Sequence, residues 1–140
     1  AAHRPDGVGQ AGPKHTADEE VSLFPRLERL DDDGVRAVLA TARALEADHR
    51  TAERLHAAAD GKLRVWMAGG ELPSEDVRAL TDTLDQLARL YEQHIRIEDT
   101  QVFPAAARAL QPADLEAIGR EMAARRNVAY MPPPDLRTQA

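Results

Sequence analysis

Two stretches of the chain carry the same arrangement of residues that could bind a metal ion. In the first, His15 is followed four residues later by Glu19, and in the second, His94 is followed four residues later by Glu98. In both stretches a second acid comes next, and an aliphatic residue, Phe and Pro stand at the eighth to tenth positions after the His, so the two copies keep a constant offset of 79 residues. Positions i and i+4 share one face of a helix, so each copy directs an imidazole and a carboxylate toward one point. Two such copies on facing helices would form a site for two metal ions.

This repeated His-x3-Glu pattern with its Phe-Pro ending resembles the signature of hemerythrin-like, or HHE cation-binding, domains. The resemblance covers residues 14 to 110. It implies an all-α, up-and-down helix bundle whose inward-facing His, Glu and Asp side chains hold a non-haem di-iron centre. By the same resemblance, His15 and Glu19 lie on the second helix of the family's bundle, and His94 and Glu98 lie on its fourth.

Length and composition independently favour one helical domain. The chain has 140 residues, which is enough for a single core, and its mixture rich in Ala, Leu, Glu and Arg, with only 4% aromatic residues, favours helices. There is no cysteine, which excludes disulfides and thiolate metal sites. A metal site must therefore use imidazole and carboxylate ligands, which suit iron, or manganese as the alternative, better than structural zinc.

The charge and hydropathy of the chain restrict its partners. A net charge of −6 disfavours nucleic acid, which requires a concentrated basic face. No apolar run approaches the roughly 20 residues that cross a bilayer, and no leader pattern opens the sequence. We therefore expect a cytoplasmic protein with no membrane partner.

The N-terminal part is predicted to lack a helix that the resemblance would require. Residues 4–13 contain two Pro and three Gly and are predicted to be a loop, which leaves His3 as a solvent-exposed residue rather than a ligand. The first helix of the family, with its own His ligand, is thus expected to lie outside this sequence. We divide the chain into a loop or remnant at 1–14, the hemerythrin-like domain at 15–126 and a flexible tail at 127–140.

Three helices are predicted to frame the site. The first starts near Thr16 and runs toward Leu30, with a kink or break at Pro25. The second runs from Val35 to Met67, after an acidic turn that caps it. Its predicted buried stripe, at steps of three and four, comprises Val38, Ala42, Leu45, His49, Ala52, His56, Ala59, Leu63 and Trp66.

The third framing helix follows a turn at residues 68–73 and is predicted to be capped by Ser74. Its stripe turns from apolar to polar at the second His-Glu pair. The members of this stripe are Val77, Leu80, Leu84, Leu87, Tyr91, His94, Glu98, Gln101 and Ala105. A short last helix is predicted after Pro112, ending near Arg125 and Arg126.

The resemblance suggests a role for each candidate ligand. It implies that Glu19 and Glu98 bridge the two metal ions and that His15, His49 and His94 are terminal ligands, and we expect these three His side chains to converge. Two choices stay open. Glu53 is either a ligand or an acceptor for a His N–H, and Asp99 is an alternative to Glu98, which we favour because position i+4 stacks better on His94. We interpret His56 as a core residue or one just outside the ligand sphere, and Tyr91 as a packing residue.

These expectations lead to three functional hypotheses. The first is a non-haem di-iron module that binds or senses O2, NO or a peroxide, or that handles iron. The second is a redox enzyme that acts on peroxide or nitric oxide, although the pattern favours a binding module over an enzyme. The third is a structural helical module with a degenerate site. Because a framing helix is missing, we also expect an uncovered apolar face, lined by residues such as Leu45, Ala52 and Leu87, which a second copy of the chain could fill as a homodimer.

Overall fold

The computed structural model describes residues 11–134, which are helical along most of their length and contain no β-strand. The predicted all-α class is therefore confirmed. His3, most of the predicted N-terminal loop and the end of the tail lie outside the described residues. The elements in chain order are α1 (Ala11–Ala17), π1 (Asp18–Leu23), α2 (Phe24–Glu28), α3 (Asp33–Met67), α4 (Ser74–Ile97), π2 (Glu98–Val102), α5 (Phe103–Ala109) and α6 (Pro112–Arg125).

The first helix begins earlier than the sequence predicted. It starts at Ala11 rather than near Thr16, so part of the predicted loop is helical. Pro13 is compatible with this start because it falls in the first turn of α1. The N–H groups of a first turn have no partner within the helix, and the proline therefore costs no regular hydrogen bond there.

Two segments of π-helix interrupt otherwise continuous α-helices. The backbone stays in the right-handed helical region at Ala17, Leu23 and Phe24, so α1, π1 and α2 follow one another without a loop. Pro25 is the second residue of α2, two positions after the end of π1. Its ring would clash with the carbonyl four residues back and it offers no N–H, so the regular α pattern is already broken at that turn. The predicted kink or break at Pro25 is thus a change of helix type just before it.

The two long helices have well-defined starts. Val35 donates its backbone N–H to Asp32 Oδ1 at 2.9 Å, so the acidic turn caps α3 as predicted. The prediction that Ser74 caps α4 is wrong, because Ser74 is the first helical residue and Pro73 precedes it without a side-chain cap. The carbonyl of Pro73 instead accepts the first backbone hydrogen bonds of α4.

The described chain divides into two compact units, of which the first combines residues 11–39 with residues 106–134 and the second comprises residues 40–105. In the first unit, α6 packs against π1. Buried side chains of this unit include Phe24, Leu27, Val35, Leu110 and Ile118. Those of the second unit include Ala42, Leu45, Ala52, Leu87 and Val102.

The predicted stripes are buried only along part of their length. Leu45 and Leu87 are buried, as the stripes predicted, but Trp66 is 61% exposed, Val77 50% and Leu84 47%. Trp66 and Val77 flank the turn between α3 and α4, where a pair of helices alone cannot enclose both of their apolar faces. Leu45, Ala52 and Leu87 were predicted to line an uncovered apolar face, but all three side chains are buried. Exposed apolar side chains of the second unit lie instead near the turn that connects α3 and α4, at Trp66 and Val77.

No helix among residues 11–134 is both long enough and apolar enough to span a bilayer.

Candidate metal centre

The second His-Glu pair lies where α4 changes into π2. His94 is in the last turn of α4 and Glu98 is the first residue of π2. Nε2 of His94 lies 2.7 Å from Oε1 of Glu98, and the two side chains are only 6% and 3% exposed. Burying a carboxylate is unfavourable unless a polar or charged partner compensates for its lost hydration. This pair is therefore a buried polar site.

A third donor comes from α3. Nε2 of His49 lies 3.2 Å from Nε2 of His94, and the centroids of the two rings are 4.8 Å apart. Two ligand atoms that are each about 2.1 Å from a metal ion, and at right angles to one another, are separated by about 3 Å. The separations of His94 from His49 and from Glu98 are both close to that value. Within the second unit, Nε2 of His94 therefore lies at ligand spacing from both His49 and Glu98.

A carboxylate on the far side of His94 was not found by the sequence analysis. Oδ2 of Asp48 lies 3.5 Å from Nδ1 of His94, at the long end of the hydrogen-bond range. A carboxylate in this position orients an imidazole and keeps its other nitrogen available for a metal. The sequence signal was weak, because Asp48 immediately precedes the predicted ligand His49 and adjacent residues do not share a helix face.

The first His-Glu pair has the same local geometry. His15 lies in α1, and its Nε2 is 3.1 Å from Oε1 of Glu19, the second residue of π1. Glu19 is 3% exposed, whereas His15 is 52% exposed. The carboxylates of the two copies are therefore equally buried, and the first copy differs in having an accessible imidazole.

The sequence repeat is also a repeat of backbone structure. The N–H of Phe24 donates to the carbonyl of Glu19, and the N–H of Phe103 donates to the carbonyl of Glu98. Both bonds span five residues, which is the π pattern, and short π segments occur often at functional sites. In each copy the wide turn begins at or next to the carboxylate. The His-Glu spacing and the Phe-Pro ending thus describe one structural unit, used twice.

The acid that precedes Glu19 is held by α6. Asp18 is buried, and Arg125 and Arg126 both donate to its carboxylate. The hydrogen bond to Asp18 raises the pKa of the Arg126 guanidinium. Sequence analysis placed both arginines at the end of the last helix but did not predict this partner, because the residues involved are 107 and 108 positions apart.

A second ion pair attaches α6 to α2. Nη1 and Nη2 of Arg26 donate to the two carboxylate oxygens of Glu121, at 3.0 and 2.8 Å. The hydrogen bond from Arg26 is the largest cause that lowers the pKa of Glu121, to about 2. Arg26 also donates to the backbone carbonyl of Ser22, inside π1.

Other predicted candidates lie at the surface. Glu53 and Asp99 are exposed. His56 is exposed as well, although its position on the stripe predicted a core residue, and its Nε2 lies 2.6 Å from the hydroxyl of Tyr91. Tyr91 was predicted to pack on the buried stripe, but it is 38% exposed. Partial burial of its phenol raises the pKa of Tyr91. The hydroxyl of Tyr91 therefore gives the imidazole of His56 a polar partner at the surface.

The donor chemistry of the two copies suits a metal ion. His15 with Glu19 in the first unit, and His94 with Glu98 in the second, are described side chains that could serve as metal ligands. They combine neutral nitrogen donors with anionic oxygen donors, a set that iron and manganese accept readily.

A model of one protein family matches most of the chain. The family is described as the hemerythrin HHE cation binding domain, and the match spans residues 8–106. Neither a curated protein nor a solved structure matches the chain significantly.

Proposed function

Because the chain belongs to the hemerythrin HHE cation-binding domain family, we propose that it holds two non-haem iron ions, with manganese as the alternative metal. The observation that carries this proposal is the position of His94, whose Nε2 lies at separations typical of ligands on one metal ion from His49 and from Glu98. The proposed ligands are His15, Glu19, His49, Glu53, His94 and Glu98.

The two copies of the motif have complementary parts in this proposal. In this proposal Glu19 and Glu98 would hold the metal as carboxylate ligands, and His15, His49 and His94 would hold it as imidazole ligands. Burial of both glutamates favours such a role, because a buried carboxylate gains most from a neighbouring cation. Glu53 is the sixth ligand, or the acceptor of a His N–H. If Glu53 is a ligand, its side chain would have to turn inward, because it is exposed at its position one turn after His49.

The proposed activity is the binding or sensing of O2, NO or a peroxide, or the handling of iron. When bound, iron with an open coordination position would be the group to which such a small molecule binds. The chain contributes the orientation of the ligands, since Asp48 restrains the imidazole of His94. Leu45 and Leu87, which are buried on the same helices as His49 and His94, add apolar surroundings. The half-exposed His15 is the most accessible of the three His ligands.

A redox enzyme acting on peroxide or nitric oxide is the second candidate, favoured by the hydrogen bond between His56 and Tyr91. Tyr91 lies one turn before His94, and a phenol whose proton is shared with an imidazole is a suitable electron donor. Replacement of Tyr91 by Phe distinguishes the two candidates. A binding module keeps its small-molecule affinity in this variant, whereas an enzyme that uses the phenol loses turnover.

Metal analysis of the purified protein tests the proposal as a whole. Protein loaded with Fe²⁺ without oxygen should retain about two ions per chain after desalting, as expected for a di-iron bundle. His49→Ala and Glu98→Ala should retain less. Wild-type protein that retains no metal would contradict the proposal and support the third hypothesis, a structural module with a degenerate site.

We also propose that the exposed apolar residues of the second unit join two copies of the chain. Trp66, Met67, Val77 and Leu84 are exposed large apolar side chains of this unit, and such residues at helix surfaces commonly mark interaction sites. Sedimentation of the wild-type protein and of Leu84→Glu tests this. A wild-type monomer would contradict the proposal.

A further inference from the structure

The first His-Glu pair differs from the second in being attached to α6. Within the first unit, Nη1 of Arg125 lies 2.8 Å from Oδ1 of Asp18, and Nη2 of Arg126 lies 2.6 Å from Oδ2. Asp18 is 5% exposed, so this ion pair is largely removed from water. Arg125 also donates to the hydroxyl of Ser22, four residues further along π1.

The contacts to Asp18 and Ser22 determine how π1 is rotated about its axis. Asp18 is the first residue of π1 and Ser22 lies near its end, so Arg125 binds the segment at two separate points. Glu19 lies between these points and directly after Asp18. A rotation of π1 that turned Glu19 away from His15 would break both contacts and would leave the buried carboxylate of Asp18 without its cations, which is strongly unfavourable.

The second copy of the motif has no equivalent attachment. At the constant offset of 79 residues, Ile97 stands in the place of Asp18 and Gln101 in the place of Ser22. Neither residue offers a carboxylate to an arginine. In addition, Arg125 and Arg126 lie beyond residues 8–106, which match the family. Of the two copies, the first is therefore the one that these arginines hold, and the arginines come from outside the matched region.

We propose that Asp18, Arg125 and Arg126 form a clamp through which α6 holds Glu19 in position to bind metal, with Asp18 as a positioning residue. This proposal rests on the proposed function, because it assigns Glu19 as a metal ligand. The clamp contributes no donor atom to the metal. It reduces the cost of ordering Glu19 when the metal binds, and charge-assisted bonds from two guanidinium groups are strong enough for this task.

Co²⁺ is a suitable probe, because its visible absorption reports the geometry of its ligands. Affinity is measured by titration of the full chain, and the absorption spectrum of the loaded protein is recorded in parallel. Asp18→Asn should bind Co²⁺ about tenfold more weakly or worse, the usual effect of removing a partner that orients a ligand. Its Co²⁺ spectrum should also shift, which a general loss of stability at unchanged ligand geometry would not produce.

Glu121→Gln is the matched control. It removes the charge that pairs α6 with Arg26 but leaves Asp18 with both arginines. Glu121 also hydrogen-bonds Ser22, and the amide of the variant can keep that hydrogen bond. We expect wild-type Co²⁺ affinity and spectrum in this variant. If Glu121→Gln weakens Co²⁺ binding as much as Asp18→Asn does, the effect comes from the general docking of α6, and the clamp is refuted.

The double variant Arg125→Lys with Arg126→Lys keeps the experiment decisive if Asp18→Asn does not fold. Lysine preserves both charges but cannot reproduce the forked geometry of the guanidinium group. Its Co²⁺ affinity should fall between those of the wild type and Asp18→Asn, or below that of the wild type if only this variant folds. Wild-type affinity and spectrum in every folded variant would refute the clamp. Absence of Co²⁺ binding by the wild-type protein would instead refute the proposed function, so the two failures are distinguishable.

Discussion

His49 and His94 are 45 residues apart in sequence, yet their Nε2 atoms lie 3.2 Å from each other. Two neutral imidazoles at this separation can share only one hydrogen, since one nitrogen must donate and the other must accept. Glu98 also approaches Nε2 of His94, at 2.7 Å, so this nitrogen has two further donor atoms within ligand spacing. A cation beside His94 would be a favourable partner for these donor atoms.

Removal of His94 should cost more metal than removal of His56. His94→Ala deletes a buried donor next to Glu98, whereas His56→Ala deletes an exposed imidazole whose partner is Tyr91. Iron per chain, measured by elemental analysis after desalting, should fall by about half or more in the first variant and stay near the wild-type value in the second. Equal iron content in the two variants would show that the ranking is wrong.

Deletion of Thr100 should abolish the wide turn of π2 while preserving the helix. Thr100 is an exposed residue inside π2, and a π turn contains one residue more than an α turn between its hydrogen-bonded groups. Without it, residues before and after can join in a regular α-helix, and Glu98 loses the backbone geometry that it shares with Glu19. We expect helical circular dichroism close to that of the wild type and metal affinity at least about tenfold lower.

The control for this deletion is the substitution Thr100→Ala, which removes the side chain and keeps the length of π2. It should bind metal as the wild type does. Loss of metal in both variants would mean that the threonine side chain, rather than the wide turn, is what matters.

The ion pair between Arg26 and Glu121 should stabilise the fold only above acidic pH. The pKa of Glu121 is lowered from 4.5 to about 2, so the folded chain holds this proton more weakly than the unfolded chain does. The stabilisation is therefore present above pH 4.5 and is lost as the pH falls toward 2. Since 41% of the Glu121 side chain is exposed, solvent screens the pair and its contribution is about 1 kcal/mol or less.

Urea unfolding of the wild type and Glu121→Gln, both stripped of metal by a chelator, measures this effect. The difference in the free energy of unfolding between the two proteins should shrink between pH 6 and pH 2.5. A difference that stays constant over this range would contradict the assignment of the low pKa to Glu121.

Truncation of Leu27 should destabilise the first unit strongly. Leu27 is fully buried in α2, so Leu27→Ala removes apolar contacts and leaves a cavity, at a cost of about 2–5 kcal/mol. Val21 is 64% exposed in the neighbouring π1, so Val21→Ala is the matched control and should change the free energy of unfolding by about 0.5 kcal/mol or less. Thermal and chemical unfolding compare the two, and similar losses would show that Leu27 is not a core residue.

The sequence by itself determined the helical class, the family resemblance and the two His-Glu pairs. These properties are local or periodic. An i, i+4 spacing places a His and a Glu on the same helix face whatever surrounds them, and the prolines and glycines near residues 68–73 and Pro112 interrupt helices through their own backbone chemistry. For the same reason the limits of α3 could be predicted to within two residues.

The tertiary structure decided which distant side chains meet. The contact between Asp18 and Arg126 joins residues 108 positions apart, and nothing in the pattern around either residue pointed to the other. Helical periodicity likewise predicted the same environment for Leu45 and Trp66, yet Leu45 is fully buried and Trp66 is 61% exposed. Periodicity indicates which residues share a helix face, but only the packing of other elements determines how much of that face is covered.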